Sequence, residues 1–175
     1  MRSILFRVLI LGFLLMVNPG KTFAGPYHQI DSLKSIIDTS RADTIKIIAL
    51  SDLSFAYISI NVDSARLFAR EAMRIAKEND FTFGIAYANT ALGKTEVALD
   101  NLDEAVTYYL KSISYFEQSN EYRELAEIYL ILGSLYTYQD KIFEALNAFK
   151  VALDISIDHG MEKMMEKTYN NLGSI

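Results

Sequence analysis

Tyr129-Leu130-Ile131-Leu132-Gly133-Ser134-Leu135-Tyr136, with Ala145-Leu146-Asn147-Ala148-Phe149 beginning nine residues after Tyr136, carries the signature of the fold. Its marks recur along the chain. Leu-Gly pairs place Gly93, Gly133 and Gly173 at intervals of 40 residues. Ala65, Ala105 and Ala145, each behind a pair of residues that includes an acid, keep the same interval. Tyr109 and Phe149 stand four residues after the last two alanines, and Ala69 takes that place after the first. An amphipathic helix has a period of about 3.6 residues; an interval of 40 belongs to a repeated unit of structure.

Each interval resolves into two helices. Ile85, Ala88, Leu92, Val97 and Leu99 recur at helical spacing, Asp100-Asn101 interrupts them, and Asp103-Glu104 place negative charge where a new helix dipole starts. The expected helices are Thr44–Ser59 and Val62–Lys77, then Thr82–Leu99 and one from Leu102 to Ser119-Asn120, then Tyr122–Tyr138 and Ile142–Asp158. The first unit is degenerate, with one residue fewer expected in its turn. Gly160 suits a left-handed cap. The units are about 44–80, 81–120, 121–160 and an incomplete 161–175, after a lead-in over 25–43 with a short helix from His28 to Asp38. Gly93 with Ala105, and Gly133 with Ala145, fall on opposite helices of a hairpin, where small residues permit a close crossing. Tyr108, Tyr115, Tyr122, Tyr129 and Tyr136, seven apart, read mainly as packing residues.

Tyr129-x2-Leu132-Gly133-x2-Tyr136 followed by Ala145-x3-Phe149 resembles the tetratricopeptide repeat, with Tyr in the place of Trp. In the unit before, Asn89 and Glu96 replace the aromatics. The resemblance covers about residues 44–175 and implies an all-α, right-handed solenoid of antiparallel helix hairpins that ends in an incomplete repeat. A 40-residue unit without a closing proline is similar to the long-helix variety of bacterial regulatory and sensor proteins. The first helix of each pair then lines a concave face. Its free stripe reads Tyr87, Thr90, Lys94 and Val97, then Glu127, Leu130, Ser134 and Thr137, then Lys167 and Asn170. That mixture suits a peptide or partner protein.

Composition narrows the alternatives. The chain has 175 residues, 51% of them hydrophobic, with 2 Pro and 8 Gly, which favours helices over a turn-rich sheet protein. It contains no cysteine, so thiol nucleophiles and Cys-type metal sites are excluded. The net charge of −5 argues against nucleic acid. His28 and His159 are isolated, and there is no phosphate-binding glycine motif. The expectation is therefore a non-enzyme with no cofactor and no metal. Residues 1–24 read as a secretory signal: Arg2 and Arg7 precede the apolar run Val8 to Val17, Asn18-Pro19-Gly20 breaks it, and Thr22-Phe23-Ala24 supplies small residues for cleavage. The run is too short to span a bilayer. Losing Arg2, Arg7 and Lys21 with no acid moves the net charge from −5 to −8.

These features describe an exported, periplasmic or extracellular scaffold for protein–protein interaction. The alternative is the exported sensor region of a membrane signalling protein with a histidine kinase or DNA-binding output. The last helix, with Met165, Tyr169 and Leu172, is expected to lack a partner helix and so to favour self-association. Expressed with its own leader, the exported protein should begin at Gly25; intact mass and N-terminal sequencing check this, and a first residue at Met1 contradicts it.

Overall fold

The structure, a computed structural model, describes residues 26–175. The signal-sequence reading of residues 1–24 lies outside that range. Among the described residues there are eight helices and no strand: α1 (Pro26–Thr39), α2 (Asp43–Tyr57), α3 (Val62–Glu78), α4 (Thr82–Ala98), α5 (Leu102–Ser119), α6 (Tyr122–Tyr138), α7 (Ile142–Asp158) and α8 (Glu162–Leu172). They form an all-α solenoid. α2 pairs with α3, α4 with α5 and α6 with α7 as hairpins, α1 packs on α2, and α8 packs on α7 and α6.

The hairpins close on an aromatic ring set against a glycine. A Cβ at position 93 would lie 2.9 Å from the Tyr109 ring, and one at 133 would lie 2.5 Å from the Phe149 ring. Tyr109 and Phe149 are each 1% exposed, and Ala65, Ala105 and Ala145 are fully buried. The glycine therefore faces the aromatic four residues beyond the alanine, whereas spacing alone pairs it with the alanine itself. In the first hairpin the volumes are exchanged: Leu53 (1% exposed) stands in the glycine's place and fully buried Ala69 in that of the ring. Gly173 has no ring against it among the described residues.

The helices from α3 onward start at intervals of 20 residues, at 62, 82, 102, 122, 142 and 162. Between them Asp80, Asp100, Asn120, Asp140 and Gly160 adopt left-handed φ of 50° to 63°. The residue after each donates its backbone N–H to a carbonyl five positions back, as Phe81 does to Ala76 and Lys141 to Tyr136. This Schellman closure satisfies the carbonyls left free at a helix end. Its carbonyl then accepts the first bond of the next helix, as Phe81 does from Ile85. Position 60, in the same register, is isoleucine, and a β-branched side chain resists left-handed φ. The first turn accordingly takes another form: α2 ends at Tyr57, the Asn61 N–H returns to the Tyr57 carbonyl, and the Asn61 side chain accepts a 2.8 Å bond from the Ser64 N–H. That turn is longer than the others, not one residue shorter.

Glu96, which displaces an aromatic of the repeat pattern, is 2% exposed. Arg66 of α3 grips it through Nη2 at 2.6 Å and Nε at 3.1 Å, and Asn101 donates to it at 3.0 Å. The hydrogen bonds to Glu96 raise the Arg66 pKa above its ordinary value. A buried carboxylate without such partners would carry a heavy desolvation cost. At the last helix, Leu172 and Met164 pack back on Leu130, Ala145, Phe149 and Ala152 of the preceding hairpin, so this part of α8 is covered without a second helix of its own unit. Tyr169 remains 57% exposed.

Gly133→Ala should lower stability by about 1–2 kcal/mol, because overpacking against Phe149 exceeds the gain in helix propensity. Gly133→Leu combined with Phe149→Ala, which copies Leu53 and Ala69, should recover most of the loss. Urea denaturation measures both; an unchanged midpoint for Gly133→Ala would contradict the ring-on-glycine account.

Candidate partner-binding groove

α2 packs on α4 and α6 on α8, whereas α4 and α6 barely touch. Between them opens a groove of about 980 Å³, lined by α4, α5, α6 and α8 and by Ile58 and Asp100 from the turns. Val97, Leu102, Leu130, Ile131 and Leu135 give it an apolar floor; Lys94, Glu127, Ser134, Lys167 and Asn170 give it a polar rim. A recess of about 80 Å³, sharing Lys94 and Glu127 with the groove, lies toward the N-terminal ends of the same helices.

Of the stripe expected from sequence, Lys94, Val97, Glu127, Leu130, Ser134, Lys167 and Asn170 line the groove, and Tyr87, Thr90, Lys94 and Glu127 line the recess. Thr137 lines neither; its hydroxyl donates to the Gly133 carbonyl. Thr90 is 6% exposed, with its hydroxyl bonded to Ser112 Oγ and the Ala86 carbonyl, so it ties α4 to α5. Leu130 is 7% exposed and belongs to the core of the third hairpin. The Ser134 hydroxyl donates to the Leu130 carbonyl of its own helix.

Ile58, Ala98, Asp100, Leu102, Tyr109, Ile131, Leu135, Tyr138 and Asn171 complete the walls without appearing in the stripe. A stripe follows one face of one helix, but an opening between two helices also takes the flanking positions of each. Tyr138, 74% exposed at the end of an apolar run, was the available signal. Phe55, Phe116, Glu124 and Ile128 complete the recess.

Tyr87 is held on every side. Its hydroxyl donates to Asp52 Oδ1 at 2.7 Å, its ring stacks on Phe83 at 5.7 Å, and Phe55 meets it edge-on at 5.5 Å. Burial, then the bond to Asp52, pushes its pKa well above the ordinary tyrosine value; burial, then Glu127, does the same to Tyr109. The Lys94 ammonium lies 4.3 Å from the Phe55 ring centroid. His159 stacks on Tyr122 at 4.0 Å, away from the groove residues. Among the described residues no His, Asp and Glu gather as a metal site, and no helix is long and apolar enough to cross a membrane.

Residues 84–158, under half of the chain, match the family model for the Tetratricopeptide repeat. No curated protein matches the chain in sequence. The crystal structure of BtubC (BKLC) from P. vanneervenii is similar in fold, with a TM-score of 0.62 at 18% identity. The match covers 84% of this chain and 65% of that one, so the chain spans about two thirds of that protein's length.

Tyr87 and Tyr109 hold their protons more tightly in the folded chain than in the unfolded one. The stability they contribute is intact below the ordinary tyrosine pKa of 10.0 and is lost as pH rises beyond it. Between about pH 9 and about pH 11 the chain should lose stability to urea, and Tyr87→Phe should lose less. Equal losses would mean that the Tyr87 hydroxyl is not held as described.

Proposed function

We propose that the chain is a non-catalytic scaffold for protein–protein interaction, and that it holds a peptide or a partner protein in the groove between α4, α6 and α8. The groove itself carries this reading: a cleft of about 980 Å³ with an apolar floor framed by separate polar groups is the form that takes an extended segment or a helix. The match of residues 84–158 to the tetratricopeptide model supports it, because such arrays present one wall of stacked helices to a protein partner. The groove's lining supports the non-catalytic reading. Its one serine hydroxyl is spent on a carbonyl of its own helix, and neither histidine lines it. In the same proposal residues 1–24 act as a leader that is removed on export, so that the scaffold works outside the cytoplasm.

A photo-crosslinking residue at Ser134, exposed on the rim, should yield a defined adduct in the cells that make the protein. The same residue at Asn147, exposed on α7 outside the groove, should not. Equal yields at the two positions, or no adduct at Ser134, would overturn the proposal.

A further inference from the structure

The recess and the groove share an unbalanced set of charges. Glu124 and Glu127, three residues apart on α6, face the recess, and Asp52 lies beside it on Tyr87. Asp100 lines the groove. Against these four carboxylates stand two cations, Lys94 and Lys167. Among the described residues none of the six forms an ion pair within 4.0 Å. Glu124 and Glu127 also accept no hydrogen bond from a side chain there, so their charge is uncompensated. The Phe55 face beside them already bears an ammonium, that of Lys94, which shows that this aromatic surface receives a cation.

Resting on the groove being the binding surface, we propose that its occupant is a basic, apolar peptide segment of a partner protein. A Lys or Arg side chain lies against Glu124 and Glu127 beside the rings of Phe55 and Tyr87, and neighbouring apolar side chains fill the groove over Val97, Leu130 and Leu135. Complementarity holds at long range as well. Residues 25–175 carry a net charge of −8, a field that accelerates encounter with a basic partner and repels an acidic one. A second copy of this chain carries the same −8 and is opposed by the same field. Lys94 is the internal competitor for the aromatic face, so removing its charge favours the partner's cation.

Random 12-residue peptides displayed on phage and selected on the full chain provide the probe, with affinities measured by fluorescence anisotropy. Enriched sequences should combine Lys or Arg with Leu, Ile, Met or Phe. Glu127→Lys should weaken them by about tenfold or more, whereas Asp154→Lys, an equal change in net charge at an exposed site on α7, should change them by no more than about twofold. Lys94→Met should tighten them. Enrichment of acidic or uncharged peptides, an equal response to Glu127→Lys and Asp154→Lys, or no enrichment at all would overturn the proposal. Ser134→Trp separates the two levels. If it abolishes binding of peptides that are not basic, the groove stands as the binding surface and only the basic segment falls. If every enriched peptide ignores it, the groove falls too.

Discussion

The contact between a glycine on one helix and an aromatic ring on the next fixes the geometry of the central hairpins. A glycine inside a helix costs about 1 kcal/mol relative to alanine. It is retained at 93 and 133 because the rings of Tyr109 and Phe149 occupy the space a side chain would need. Burying such a ring contributes about 2–3 kcal/mol, more than the helix loses. The contact is also directional. Once the ring sits over the glycine, each helix can no longer rotate about its axis, so Lys94 and Val97 of α4, and Leu130 and Ser134 of α6, turn toward the same groove. The first hairpin reaches an equivalent packing with Leu53 and Ala69, where the large side chain comes from the other helix. Total volume is conserved while its source changes, a substitution that cores tolerate well.

A second constraint lies in the turns. Left-handed residues at 80, 100, 120, 140 and 160 make every joint from α3 onward alike, so hairpin turns and the turns between hairpins obey one rule. The left-handed region is costly for most L residues and less so for Asp, Asn and Gly, which are the types found there. With helices of 17 or 18 residues and short joints, the stacking repeats from one helix to the next. The outer bound of that regularity is Ile60, whose branched side chain excludes the left-handed form and leaves α2 to end differently.

The 40-residue period was legible because it is written in residue types that packing makes nearly irreplaceable, glycine and alanine. The finer 20-residue period was not, because Asp, Asn and Gly share a backbone conformation without sharing a chemistry. The ring-on-glycine contact was half legible: both residues were marked, but a spacing of 16 between helices has no signature without the hairpin's crossing geometry. Glu96 stood out as a departure from the repeat, yet its partner Arg66 lies 30 residues back, and no helical spacing connects them. The stripe of candidate site residues could be drawn from periodicity. Which of them would be spent on packing, as Thr90 and Leu130 are, depends on how closely the neighbouring helices approach.

That approach is uneven for a reason the degenerate first unit supplies. Tyr87 binds α4 to α2 by its hydrogen bond to Asp52 and its edge contact with Phe55, and Arg66 adds an ion pair from α3 to Glu96. Forty residues on, the same positions hold Glu127 opposite Leu92 and Thr95, and Val106 opposite Tyr136. A carboxylate gains nothing from a leucine, and the Thr95 hydroxyl is already bonded to the Ala91 carbonyl. The tie between successive first helices is therefore lost at the α4–α6 junction, and Glu127 is left facing open space in place of a partner. The opening is thus a consequence of imperfect repetition. Had a tyrosine stood at 127 and an aspartate at 92, as at 87 and 52, the same bond would have drawn α6 onto α4, and the inner wall would have closed where the groove now stands.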